Sequence, residues 1–131
     1  MKQIFFVLAL LLTTNYLLPT TYAQNRAIEV TSVYEIGDAQ ALEGDILVAA
    51  DKGLVRAERS FDNKMFGVIQ EQPVMVYRSD VKGKPVMRSG VAEVNVTTLN
   101  GAIKYGDYIT SSPVQGKGQK ASESGYVLGI A

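Results

Sequence analysis

Short apolar bursts separated by glycine and polar turn formers run along the chain beyond residue 23, and where they alternate the period is two. Bursts of this kind, bounded by turn formers, predict strands. They fall at 28–34, 46–50, 54–58, 66–70, 74–77, 91–97, 108–111 and 126–130. The alternation is plainest where Ala92, Val94 and Val96 interleave with Glu93, Asn95 and Thr97, the mark of a sheet with one wet face. Asn100-Gly101 then predicts a two-residue hairpin turn, because both residues tolerate positive φ. No stretch after Gln24 sustains a helical apolar period long enough for an amphipathic helix, and one helical turn near 37–42 is all the helix the pattern leaves. The expected fold class is all-β: a compact antiparallel β barrel, clip or sandwich with little helix.

Sliding the chain against itself until Gly44 falls on Gly106 adds a second pattern. Gly44-Asp45-Ile46-Leu47-Val48-Ala49-Ala50 then matches Gly106-Asp107-Tyr108-Ile109-Thr110-Ser111-Ser112, and Phe66-Gly67-Val68-Ile69 matches Leu128-Gly129-Ile130-Ala131. The spacing from Gly44 to Gly67 equals that from Gly106 to Gly129, with no gap in either copy. Each Gly-Asp is expected to form a tight turn, glycine taking positive φ and the carboxylate binding nearby amides. Gly67 and Gly129 are expected to mark a bulge or a close backbone approach. Gly44, Asp45, Gly67, Gly106, Asp107 and Gly129 are therefore the structural positions of two related β units, 44–69 and 106–131. Two units are too few for a solenoid and predict a pseudo-symmetric compact fold.

The apolar start changes the domain plan. Met1-Lys2, the unbroken apolar run 4–12 and the small-residue site Thr21-Tyr22-Ala23 read as a secretory leader cleaved before Gln24. The run is well short of the roughly 20 apolar residues that span a bilayer, and no later segment approaches that length. The expected plan is a leader at 1–23, an N-terminal strand and linker at 24–43, and a β module at 44–131. The address is secreted or cell surface, with no transmembrane segment in the mature chain.

Composition narrows the chemistry. With Lys2 removed, 12 basic residues face 13 acidic ones, which leaves no basic stripe for nucleic acid. The chain has no cysteine and no histidine, so it carries no disulfide framework, thiol nucleophile, Ser-His-Asp triad or histidine-rich zinc site. Asp38, Glu43, Asp45 and Asp51, or Asp107 with Glu123, lack the alternating oxygen spacing of a calcium loop, and no metal or cofactor is expected. A Ser/Lys hydrolase would draw on Ser60, Ser89, Ser111 or Ser112 with Lys64, Lys84 or Lys104 as base. Their polar, glycine-flanked contexts place them instead at turns and strand edges, in solvent. Paired carboxylates acting on a glycan would be expected alongside aromatic platforms, yet the mature chain has no Trp. Tyr105 and Tyr108 flank Gly106-Asp107 and form a candidate partner or sugar surface, with Tyr77 and Tyr126 elsewhere. Asn95-Val96-Thr97 fits the glycosylation acceptor pattern.

The segments Gly83-Lys84-Pro85-Val86-Met87-Arg88-Ser89-Gly90-Val91-Ala92-Glu93-Val94-Asn95-Val96 and Asn100-Gly101-Ala102-Ile103-Lys104-Tyr105-Gly106-Asp107-Tyr108-Ile109-Thr110-Ser111-Ser112 carry a resemblance. They are similar to a β-rich module near the C-termini of secreted and surface bacterial proteins, also seen in phage tail-fibre and tail-spike proteins, some in self-cleaving chaperone domains. Gly67-Val68-Ile69 and Val127-Leu128-Gly129-Ile130-Ala131 occupy the family's remaining places, and the likeness spans residues 44–131. No residue matches a cleavage nucleophile, so no catalytic role is implied. The family module continues with a further strand, which implies that this strand lies beyond Ala131 or is absent here. The expected function is a non-catalytic structural or interaction module of a cell-surface or extracellular assembly, with a protein partner or self-association. A Ser/Lys self-processing peptidase and a carbohydrate-binding module using Tyr105 and Tyr108 are the alternatives.

Overall fold

The computed structural model describes residues 30–131 apart from 74, 78 and 79. The leader expected at 1–23 and the start of the first strand at Ile28 lie outside the described residues. The described chain is all-β. It comprises β1 (Val30–Tyr34), β2 (Ile46–Ala50), β3 (Gly53–Arg56), β4 (Met65–Ile69), β5 (Met75–Tyr77), β6 (Lys84–Met87), β7 (Tyr108–Ser111), β8 (Gly118–Lys120) and β9 (Gly129–Ile130). They form a six-stranded sheet in the order β3-β2-β4-β6-β1-β5 and a three-stranded sheet in the order β8-β7-β9. Neighbouring strands run antiparallel except β1 and β5. Neither sheet closes on itself, so the barrel among the expected architectures does not form.

The continuous apolar run Ile46-Leu47-Val48 has a direct cause: the centre of the large sheet is covered on both faces, so alternate residues find separate cores. Leu47 packs with Ala41, Leu54, Ile69 and Val86 beneath Tyr34, Ile36 and Phe66. Ile46 and Val48 pack on the other face with Ala57 and Val68, where Ala92, Val94 and Leu128 close over them. Leu47 and Ile69 are fully buried, each contributing up to about 1.5–3 kcal/mol by removal from water. Leu128, next to β9, packs on the core of the large sheet and so ties the two sheets together.

Three local expectations fail, each for a physical reason. Residues 91–97 are extended but form no strand, only an isolated bridge from Val96 to Gly118. Their alternation reports a covered face, since Ala92 and Val94 point into the core, but period two says nothing about whether a neighbour supplies a hydrogen-bond ladder. At Asn100 the turn closes from the Gly101 amide to the Thr98 carbonyl at 2.9 Å, with Leu99 and Asn100 central, and joins segments that are not paired strands. Near 37–42 a single turn closes from the Ala41 amide to the Asp38 carbonyl at 3.1 Å, and no helix follows. Asp38 also accepts the Gln40 amide at 3.0 Å, the local competition that keeps aspartate out of helix interiors.

Two strands fall outside the expected set. β6 contains Pro85, which argues against an interior strand. It is tolerated because proline still offers a carbonyl, and the Gln70 amide donates to it at 3.1 Å. β8 is Gly-Gln-Lys with no apolar signal; Gly118 sits closely packed, since a Cβ there would lie 3.0 Å from the Ile109 side chain and 3.1 Å from that of Ile46.

Candidate functional site

The two Gly-Asp turns have matching geometry. Gly44 takes φ of +82° and Gly106 of +86°. The Asp45 amide donates to the Leu42 carbonyl at 3.1 Å and the Asp107 amide to the Lys104 carbonyl at 3.0 Å. Each carboxylate accepts the amide three positions earlier, Leu42 to Asp45 at 3.0 Å and Lys104 to Asp107 at 2.8 Å. Gly44 and Asp45 exchange backbone bonds with Ile69, and Gly106 and Asp107 do the same with Ala131. The strand registers repeat in the same way: Ile46↔Val68 and Leu47↔Gly67 against Tyr108↔Ile130 and Ile109↔Gly129.

The carboxylates differ in what surrounds them. Asp45 is buried, and its second oxygen accepts the Asn95 amide nitrogen at 2.8 Å. That nitrogen also donates to the Glu43 carbonyl at 2.8 Å, so a glycan on Asn95, which replaces one of its two hydrogens, would cost at least one of these bonds. Asp107 meets the Lys120 ammonium at 3.0 Å. That contact, then the Lys104 amide, holds its carboxyl below the usual range.

The matched glycines also diverge. A Cβ on Gly67 would run into the Met87 carbonyl, and a register shift lies opposite it between Leu47 and Val48. A Cβ on Gly129 would meet nothing within 4 Å. The reason is topological: β4 is flanked by β2 and β6, whereas β9 is flanked by β7 alone among the described residues.

Beside that open edge lies a cavity of about 680 Å³. It is lined by β4, by residues 87–92 with Val94, and by residues 127–131. Val91, Val127 and Ile130 line it and are exposed, Val91 and Ile130 to nearly two thirds of their surface. Arg88 is the one charged side chain of the lining; its guanidinium lies 4.4 Å over the Phe66 ring and makes no salt bridge among the described residues. Tyr108, on β7 opposite Ile130, is exposed, and Tyr105 almost completely so. Sequence reasoning singles out the two tyrosines but not Arg88, Val91 or Ile130. The available signal is the uncharged run from Tyr126 to Ala131, which has no charge or proline to guard a strand edge.

The serine and lysine candidates do not come together. Ser111 and Ser112 are fully buried, a correction to their expected place in solvent. The Ser111 hydroxyl accepts the Asp62 amide at 2.9 Å, and Ser112 donates to the Lys117 carbonyl at 2.7 Å. Ser60 accepts the Gln119 side-chain amide at 3.0 Å. Lys84 donates to the Ala41 carbonyl at 2.8 Å and to Glu71 at 3.0 Å, while Lys64 and Lys104 are exposed. Among the described residues no hydrogen bond joins a serine hydroxyl to a lysine ammonium, and no three acidic side chains gather as a metal site. No helix among them is long and apolar enough to cross a membrane.

No family model, no curated protein and no solved structure matches this chain.

Proposed function

We propose that the chain is an exported, non-catalytic interaction module that takes part in a cell-surface or extracellular assembly through its β9 edge, and that it is built from two related β units. The observation that carries this reading is the pairing of a strand with one open edge among the described residues, β9, with an exposed apolar cavity, where the related position beside β4 is filled by β6. An unpaired row of backbone groups beside apolar surface favours strand addition. Export rests on the leader pattern at 1–23, and the likeness to secreted and tail-fibre modules points to the same setting.

The reading is tested by expressing the full chain in its host. The expected results are a mature N-terminus at Gln24, co-fractionation with a larger surface assembly, and no labelling by a serine-reactive fluorophosphonate. Retention of Met1, or stoichiometric labelling of one serine that replacing one lysine abolishes, overturns it.

The near-complete exposure of Tyr105, with Tyr108 across the same turn, favours glycan binding as the second reading. Saturable oligosaccharide binding lost in Tyr108→Ala would support it.

A further inference from the structure

We propose that Asn100 is a self-modifying site, at which the native chain converts its own side-chain amide to a carboxylate and so releases the turn from β8. Asn100 is the one asparagine of the chain that is followed by glycine. The reaction begins when the Gly101 amide nitrogen gives its proton to solvent base and attacks Cγ of Asn100. A bond forms between that nitrogen and Cγ, the bond from Cγ to Nδ2 breaks, and the departing nitrogen takes a proton from solvent and leaves as ammonia. Water then opens the cyclic imide. Cleavage between the nitrogen and Cγ leaves aspartate; cleavage between the nitrogen and the main-chain carbonyl carbon leaves isoaspartate, with the chain running through the side chain. The sum consumes water and releases ammonia, with no oxidant, reductant or cofactor.

Local structure selects this asparagine. Gly101 holds φ of +96° with nothing within 4 Å of the place a Cβ would occupy, so no side chain crowds the attacking nitrogen. Asn100 and Gly101 are exposed, and the turn joins segments that are not paired strands. Opening it breaks the bond from the Gly101 amide to the Thr98 carbonyl at 2.9 Å and the side-chain bond from Asn100 to the Lys120 carbonyl at 3.2 Å, but no ladder. The other described asparagines are held. After Asn63 the attacking group would be the Lys64 amide, which is fixed on the Asp62 carboxylate at 2.9 Å. At Asn95 the side-chain nitrogen keeps its two 2.8 Å bonds, and the next residue is the β-branched Val96. The consequence falls on β8. A carboxylate at position 100 has no hydrogen to donate and sets oxygen against the Lys120 carbonyl oxygen. The segment it fastened carries Leu99 and the almost fully exposed Tyr105, so the change remodels the surface around that tyrosine.

The test follows the full mature chain over days at physiological temperature, native and in urea, by peptide mapping with mass spectrometry. In the native chain Asn100 should take on the mass of an amide-to-acid exchange. Isoaspartate should appear beside aspartate, detected by its methylation with an isoaspartyl methyltransferase. The native rate should lie within about tenfold of the rate in urea, since the turn opens locally, and should fall in mild acid, where the nitrogen keeps its proton. Asn63 and Asn95 should stay unchanged in the native chain. Gly101→Ala should slow the reaction severalfold in both states, whereas a substitution that merely loosened the turn would speed the native reaction. Asn100→Asp should raise trypsin cleavage after Lys104 severalfold while leaving the melting temperature nearly unchanged, since the site is exposed. An unaltered Asn100 in the native chain, faster reaction at Asn63 or Asn95, an undiminished rate in Gly101→Ala, or cleavage of Asn100→Asp at the wild-type rate would each overturn the proposal.

Discussion

The Asn95 amide nitrogen lies 2.8 Å from the buried carboxylate of Asp45, far away in sequence. It fastens the extended segment that covers the core to the first Gly-Asp turn, with the Asn95 backbone amide donating to the Gly44 carbonyl at 2.8 Å. Asn95→Ala should cost about 1–3 kcal/mol by leaving a buried acceptor short of a donor. Asn95→Asp should cost more, because it faces one carboxylate with another. Urea denaturation of the two variants at neutral pH checks the order; equal midpoints would show that the contact carries no stability.

The positive-φ glycines should rank by what surrounds them. At Gly116, with φ of +76°, an added Cβ lies 2.7 Å from the Asp45 carboxyl carbon, which the Leu42 amide and Asn95 hold in place. At Gly44 the new atom lies 3.0 Å from the Asn95 side chain, and at Gly106 it meets nothing. Gly106→Ala should lose only the backbone contribution, about 1–2 kcal/mol. Gly44→Ala should lose more, and Gly116→Ala most. Melting temperatures in any other order would contradict the packing described for these turns.

Acid should remove one identifiable contribution to stability. The Arg56 guanidinium hydrogen-bonded to Asp38, at 2.6 Å, holds that carboxyl below its usual range, with further lowering from the Gln40 amide. A depressed folded-state pKa means the folded protein favours the ionised form. The stabilisation is complete above the unfolded value near pH 4 and is lost as pH falls through the lower folded value. Asp38→Asn should therefore lower stability by about 1–2 kcal/mol at pH 7. The difference from wild type should shrink below about pH 4. Denaturant titrations at pH 7 and pH 2.5 that show the same difference would count against the ion pair as its source.

Phe61 and Gly125 should behave as a coupled pair. Phe61 holds a left-handed φ of +53°, and its ring lies 2.5 Å from where a Gly125 Cβ would stand. Gly125→Ala should destabilise the wild type and be close to neutral in a Phe61→Gly background, where the ring is gone and the backbone strain is relieved. Additive losses in the double-mutant cycle would separate the two residues.

Strands with strong apolar runs are legible in the sequence: 46–50 and 108–111 coincide with β2 and β7. Their side chains report burial directly, and burial is what period and propensity measure. Pro85 hides β6 and the polar Gly118-Gln119-Lys120 hides β8, because both strands are held by what lies beside them. The Gly-Asp turns can be read because both residues act locally, glycine through its positive φ and aspartate through a carboxylate that accepts an amide three positions earlier. The cavity cannot: Val91 and Ile130 look like ordinary core residues until the topology leaves β9 without a second neighbour among the described residues.

Among the described residues β1 pairs with β5 and β6 alone, Val30 with Met75 and Tyr34 with Lys84, while β2 pairs with both β3 and β4 within the short span from Ile46 to Ile69. On a ribosome β1 emerges before every other described strand, yet its antiparallel partner is complete only when Met87 has been made. The local β3-β2-β4 unit meets the smaller loop-closure cost and can assemble while β1 waits. For the first described strand, the order of synthesis and the order of assembly run in opposite directions.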